Sequence, residues 1–422
     1  MKALCCLAAL LLALAVAPPA LAGDKKPEGK PKDNSGFVPM FDGRSLAGWV
    51  NVNCAKSTFF VKDNEIITTG KPTGYLRTQK QYENFIAEFD WMHIPPERGA
   101  VGNSGFFVWA DPIPAVGTGY TRGIEVQVLV NLTYKNKNGE ITATSQGDLF
   151  SIWGATCVPD RLHPDGWARC LPSENRCKGE KEWNHYRVEA RDGVIKLAVN
   201  GKVVSGVSRC SPRKGYLALE SEGSECRFRN LKIKELPSTN PKAEEIADKA
   251  KGHKPLYTGL DLSGWKVDDK AKKHWQPRDT VLHYDGKGEA KDNGLRTEKE
   301  YGDAEFVVDF RFPKAGKECV VILRQDKDRM TALTIKRDGT FDVSTAHPLG
   351  EKNTGKSFLD GVKAAGQWNR LRAVVKGRTL EISVNGAGAK TLEDLATPSK
   401  GAFGLMSKGE MDFANLFVRG LR

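Results

Sequence analysis

Glu125 and Gln127 stand two residues apart in the stretch TRGIEVQVLVN (121–131). Side chains along a strand alternate between its faces. This stretch therefore groups Ile124, Val126, Val128 and Val130 on one side and Glu125, Gln127 and Leu129 on the other. A carboxylate beside an amide can serve as a general base with a hydrogen-bonding neighbour, the floor of a site. The same pattern also fits an ordinary solvated face. In NSGFFVW (103–109), alternation groups Asn103, Gly105, Phe107 and Trp109. Trp109 there is either an apolar plane for a ligand ring or part of the core. In ALESEG (218–223), Glu220 and Glu222 fall on one side of another run, as a proton donor and its neighbour or as a solvated edge.

Short alternating runs separated by Gly, Asn and Asp must position these groups, the mark of an all-β sandwich. In NHYRVEARDGVIKLAVNG (184–201), Asp192-Gly193 and Asn200-Gly201 supply hairpin turns. The plan occurs twice. FDGRSLAGW (41–49) returns as YTGLDLSGW (257–265), and YLRTQKQYENFIAEFDW (75–91) as GLRTEKEYGDAEFVVDF (294–310). WNHYRVEARDGVIKLAVNG (183–201) returns as WNRLRAVVKGRTLEISVNG (368–386), and GYLALESEG (215–223) as GAFGLMSKG (401–409). Four matches in one order imply a duplicated domain, with halves at 37–236 and 254–422 and a polar linker at 237–253. Trp49, Trp183, Trp265 and Trp368 recur at matching places, which favours core packing.

The chain opens with MKALCCLAALLLALAVAPPALAG, a basic start, an apolar run and a small-residue Ala20-Leu21-Ala22 step. Residues 1–22 read as a secretory signal and 23–36 as a disordered tether, so the expected location is periplasmic or extracellular. No later stretch is apolar enough for a transmembrane span. The net charge of +12 is spread along the chain, with no dense basic and aromatic run, which argues against nucleic acid as a partner. An exported compartment permits disulfides, and Cys170 and Cys177, close in sequence, are expected to pair. Cys319, inside CVVIL, reads as a buried thiol.

FDGRSLAGW, YLRT…YENFIAEFDW, NSGFFVWA, GIEVQV, WNHYRV…LAVNG and GYLALESEG…FRNLKI together resemble the 3-keto-disaccharide hydrolase domain family. The match spans 37–236, and 254–420 resembles the same family more weakly. The resemblance implies two concanavalin A-like jelly rolls and a glycoside substrate whose sugar is a ketone at C3. That ketone acidifies the C2–H bond and makes the C1 oxygen a β leaving group. Such chemistry needs a base, a donor to the enolate oxygen and an acid for the leaving group. Glu125 is then the base and Glu220 or Glu222 the acid, with Glu220 the catalytic choice. Asn103 steadies the keto oxygen, Gln127 and Glu222 bind substrate, and Trp109 offers a plane to the ring. Arg77 binds a hydroxyl, or is structural, since it recurs as Arg296. The rival reading is a carbohydrate-binding protein of the cell envelope without catalysis.

Two departures from the family stand out: Trp109 where members often carry Arg, and Val130 where they carry Asp, a change expected to remove a group beside the Glu-x-Gln pair. No cofactor is expected. A divalent cation near Asp148, His163 and Asp165 is conceivable, but their spacing is not that of a zinc site. In the second half TALTI (331–335) replaces IEVQV, and Arg324 occupies the family's Arg position. That half is expected to bind glycan or brace the first, which should retain activity alone.

Overall fold

The computed structural model describes residues 36–421, apart from 133, 136–137, 139–140, 144–145, 289–293, 348–349 and 354–356. The signal and tether expected over 1–35 lie outside the described residues. The fold is all-β: two jelly-roll sandwiches in tandem, four large antiparallel sheets in two halves. The described residues hold one α-helix, Asp269–Lys272, and one 3-10 turn, Ala243–Glu245. No helix among them is long and apolar enough to cross a membrane.

Seven strands build the sheet that carries the sequence-predicted site: β1 (Trp49–Val52), β2 (Gly74–Thr78), β3 (Gly102–Ala110), β4 (Gly123–Val130), β5 (Leu149–Ile152), β6 (Arg169–Cys170) and β7 (Tyr216–Ser221). Their order across the sheet is β6-β5-β4-β3-β7-β2-β1. Its inner face packs on the companion sheet through residues such as Phe106, Val126, Val128 and Leu219. The companion sheet is built around Phe85–Ile94, Asn184–Arg191 and Glu225–Glu235. Asp192 and Asn200 both take left-handed φ (49° and 47°) ahead of glycines at 74° and 89°, so both hairpin turns form where Gly tolerates the second positive φ.

The second half repeats the strand order. Thr340–His347, Met330–Lys336, Glu318–Gln325, Gly401–Lys408, Leu295–Tyr301 and Trp265–Lys266 follow one another as β5-β4-β3-β7-β2-β1 do. Trp49 and Trp265 sit in matching core positions. Each indole N–H donates to a backbone carbonyl, of Met40 at 2.9 Å and Leu256 at 2.8 Å. Trp183 and Trp368 are only half-buried, each beneath an arginine, Arg229 and Arg311.

Phe37–Arg422 is a single compact unit. Val52, Tyr75, Phe107, Ala110, Tyr216 and Ala218 of the first half share an apolar cluster with Val307 and Phe417 of the second. Around it, Asn415 Nδ2 donates to Ala115 O and Thr118 O (3.0 Å each), Arg370 Nη2 to Pro114 O (2.8 Å), and Gly117 N to Asp309 Oδ2 (2.8 Å). The second half thus holds the 112–120 loop of the first. The segment expected as a linker is docked on the first half: Arg213 N donates to Glu245 O and Ala247 N to Lys214 O. The first half, expected to work alone, thus shares an apolar cluster and the anchoring of one loop with the second.

The expected Cys170–Cys177 disulfide is corrected: both thiols are free. Cys170 Sγ lies 3.6 Å from Leu171 O and Cys177 Sγ 3.9 Å from Tyr186 Oη, so each sulfur turns to its own oxygen neighbour. Cys319 is a buried free thiol.

Candidate active site

All eight residues of β4 are buried, so the face carrying Glu125 and Gln127 is not a solvated one. Strand register sets two rows across this sheet face. Arg169, Phe150, Glu125, Phe107 and Ala218 are successive partners in the first. Continuing those registers by one step along the same face places Asp148 beside Gln127, Gln127 opposite Gly105, and Glu220 beside Gly105.

Gly105 is the gap in this floor. A Cβ there would stand 2.8 Å from Glu220 Oε2 and 3.0 Å from Glu125 Oε1, so any side chain would have to push these two carboxyl ends aside. Above it runs a hydrogen-bond relay. Gln127 Nε2 donates to Asn103 Oδ1 (2.6 Å), and Asn103 Nδ2 donates to Glu222 Oε2 (2.5 Å). Tyr120, from the loop the second half holds, donates its hydroxyl to Glu222 Oε1 (2.6 Å). Five sequence-predicted residues, Glu125, Glu220, Glu222, Asn103 and Gln127, are thereby brought together.

Three carboxyls in one buried cluster cannot all ionise cheaply. Burial, then the Glu222 carboxylate, pushes Glu125 up to about 8, with Arg169 pulling the other way and Asp148 adding to the rise. Glu220 is 1% exposed, and neither of its carboxyl oxygens has a hydrogen-bond partner. Burial and then the charges of Glu125 and Glu222 hold it well above the usual carboxylate range. Glu222 is half-buried. Burial raises it, the Tyr120 hydroxyl opposes that rise, and Asp279 of the second half adds to it. All three carboxyls are thus raised: Glu220 with no hydrogen bond to offset its burial, and Glu125 and Glu222 each against an opposing group, Arg169 and the Tyr120 hydroxyl.

Trp109 and Arg77 are not brought into this cluster. Trp109 is fully buried in the core, its indole N–H donating to Glu83 O at 2.9 Å. Alternation fails there because Trp109 has φ 57° and β3 bulges against β7: Tyr216 pairs with Ala110, but Ala218 with Phe107. Ala110 takes the outward place instead. Arg77 is buried, with Nε on Pro112 O (3.1 Å), Nη1 on Thr78 O (2.9 Å), and its guanidinium over Tyr216. Its donors serve the backbone, which is the structural alternative.

The second half explains the Trp109 departure. Arg324 is also fully buried, and its Nε donates to Gly302 O, the carbonyl that corresponds to Glu83 O. Trp and Arg are two ways to satisfy one inner carbonyl. Val130 faces the core beside Val128, opposite to Glu125 and Gln127. An Asp there would not stand beside that pair, and this expectation is corrected.

Three residues that sequence reasoning missed or misplaced also face the cluster. Tyr120 lies in a loop without periodicity. Asp148 and Arg169 form a buried ion pair (Nη2 to Oδ2, 2.6 Å) at the Gln127 end of the floor. Asp148 was weighed with His163 and Asp165 as cation ligands, but His163 instead stacks on Trp167 (4.4 Å, 15°). Among the described residues, no group of three or more His, Cys, Asp or Glu is arranged to hold a metal ion. In the second half the positions of Glu125, Gln127, Glu220 and Glu222 are Ala332, Thr334, Met406 and Lys408. Lys408 pairs with Glu318 (3.1 Å) where Glu222 meets Asn103. Among the described residues, the carboxyl cluster occurs in the first half alone.

The family model described as 3-keto-alpha-glucoside-1,2-lyase-like domain matches residues 36–234 and again 252–419, and the chain belongs to this family. It is a carbohydrate-active protein. Two solved structures from Parabacteroides distasonis, both provisionally assigned as glycosyl hydrolases, are 22% and 19% identical to it. They cover 48% and 47% of this chain and 94% and 99% of theirs, with TM-scores of 0.36 and 0.35. A carbohydrate-binding module from Bacillus subtilis is 13% identical over 37% of this chain and 96% of its own, with a TM-score of 0.31. No curated protein matches the chain.

Proposed function

We propose that the protein is an exported enzyme that cleaves the glycosidic bond of 3-keto-glycosides by base-assisted elimination followed by hydration. The observation that carries this reading is Glu220, buried without a partner for either oxygen and set across Gly105 from Glu125. An unpartnered buried carboxyl costs stability. A site that only binds neutral sugar gains nothing from it, whereas a general acid must hold its proton at neutral pH.

Glu125, ionised, takes the C2 proton. The electron pair passes through the C3 enolate into a C1–C2 double bond as the C1–O bond breaks, and Glu220 protonates the departing oxygen. Asn103 spends one amide hydrogen on Glu222 and keeps the other for the enolate oxygen. Water then adds its hydroxyl to C1 and returns a proton to Glu220, while Glu125, whose carboxyl proton exchanges with solvent before this step, protonates C2. The sum is hydrolysis to the free 3-keto-sugar. The opening MKALCCLAALLLALAVAPPALAG supports export.

The test incubates the purified protein with a 3-keto-α-glucoside in D2O and follows released 3-keto-sugar and deuterium at C2. Release with deuterium incorporation is expected. Binding without release would leave a carbohydrate-binding protein, and release without deuterium would exclude Glu125 as a base at C2.

A further inference from the structure

Next to this buried cluster stands a side chain that folding does not explain. Trp153, directly after β5, is 52% exposed. It adopts φ 49°, a left-handed conformation that costs a bulky residue energy. Its ring stacks on Tyr120, centroids 6.0 Å apart and planes 9° from parallel. Tyr120 in turn donates its hydroxyl to Glu222, the outermost carboxyl of the set. From Glu220 through half-buried Glu222 and Tyr120 to exposed Trp153, exposure rises in steps, so Trp153 marks the open end of the site.

We propose that Trp153, braced by Tyr120, is a stacking platform for a second sugar ring, the one attached through the scissile oxygen. This rests on the reading of the site as a 3-keto-glycoside-cleaving centre. A pyranose is polar at its rim and apolar on its C–H face, and a flat, outward aromatic ring matches that face. The carboxyls act on the oxidised ring, and the platform holds the leaving ring. Stacking there favours a substrate whose leaving group is a ring over one with a small alkyl leaving group.

The test compares a 3-keto-α-glucosyl disaccharide with methyl 3-keto-α-glucoside, using the full chain and its Trp153→Ala, Trp153→Phe and Tyr120→Phe variants. The kcat/KM ratio of disaccharide to methyl glycoside should fall about tenfold in Trp153→Ala, mostly through KM. Trp153→Phe should restore much of it. Tyr120→Phe, which keeps the ring and loses the bond to Glu222, should lower both substrates alike. An unchanged ratio in Trp153→Ala overturns the platform while leaving the proposed chemistry standing. Absence of turnover in the parent overturns the chemistry. Calorimetric titration of the same disaccharide into parent and Trp153→Ala then still decides the platform, since equal affinities would refute it.

Discussion

The proposed base can be tested through its charge neighbour. Glu222 is the second cause, after burial, of the raised Glu125 carboxyl. With Glu125 titrating at about 8, kcat/KM for a 3-keto-glycoside should rise with pH, tenfold per unit below that value, so at pH 6 about 1% of the plateau remains. Glu222→Gln is nearly isosteric. Its amide oxygen still accepts the Tyr120 hydroxyl, and only the Asn103 bond is disturbed. Removing a negative charge makes Glu125 easier to ionise, so the acid limb must move to lower pH. The variant then retains a larger share of its own plateau at pH 6 than the parent does. Glu125→Gln, in contrast, should lose about 10²–10⁴-fold across the whole range while keeping its circular dichroism spectrum. The three carboxyls titrate as a set, and the limb reports that set. A limb that stays in place or moves upward in Glu222→Gln would refute the assignment, as would a Glu125→Gln protein as active as the parent.

Three further outcomes are expected. Glu220→Met, which installs the second half's Met406 residue, should abolish turnover and raise Tm. The folded carboxyl sits above its ordinary 4.5, so the parent loses stability as pH climbs from there through the raised value, and the Tm gap should widen from pH 5 to pH 8; a constant gap would contradict the buried acid. A chain ending before residue 254 should expose Tyr75, Phe107 and Tyr216, bind a hydrophobic dye and lose activity; a monomeric truncation with the parent's kcat/KM would show that the second half is dispensable. Trp109→Arg alone should cost about 3 kcal/mol or more in denaturant unfolding, because Arg324 has Asp303 as its partner and the first half has the uncharged Asn84 at the matching position. Adding Asn84→Asp and Asp192→Gly, the second half's arrangement, should recover at least about 1 kcal/mol of that, and no recovery would break the proposed equivalence.

The sequence by itself determined what depends on local period and composition. The all-β class, the duplication, the hairpin turns at Asp192-Gly193 and Asn200-Gly201, and the shared face of Glu125 and Gln127 follow from alternation and from residues that tolerate positive φ. Asn103 and Glu220 were placed by the same rule, because β3 and β7 stay regular over those positions, and Glu222 follows one residue past the end of β7. Tertiary structure decided the rest. A bulge at Trp109 turns its ring inward, and no alternation count contains a bulge. Arg77 lies on a legible strand, yet its donors go to backbone carbonyls, of Pro112 in a loop farther along the chain and of its neighbour Thr78. Tyr120, Asp148 and Arg169 reach the site from segments without a period, so only packing reveals them. Above all, the Glu125 and Glu220 carboxyls owe their shifted protonation to burial and then to neighbouring carboxylates, Glu222 for both, and these depend on which strands lie side by side.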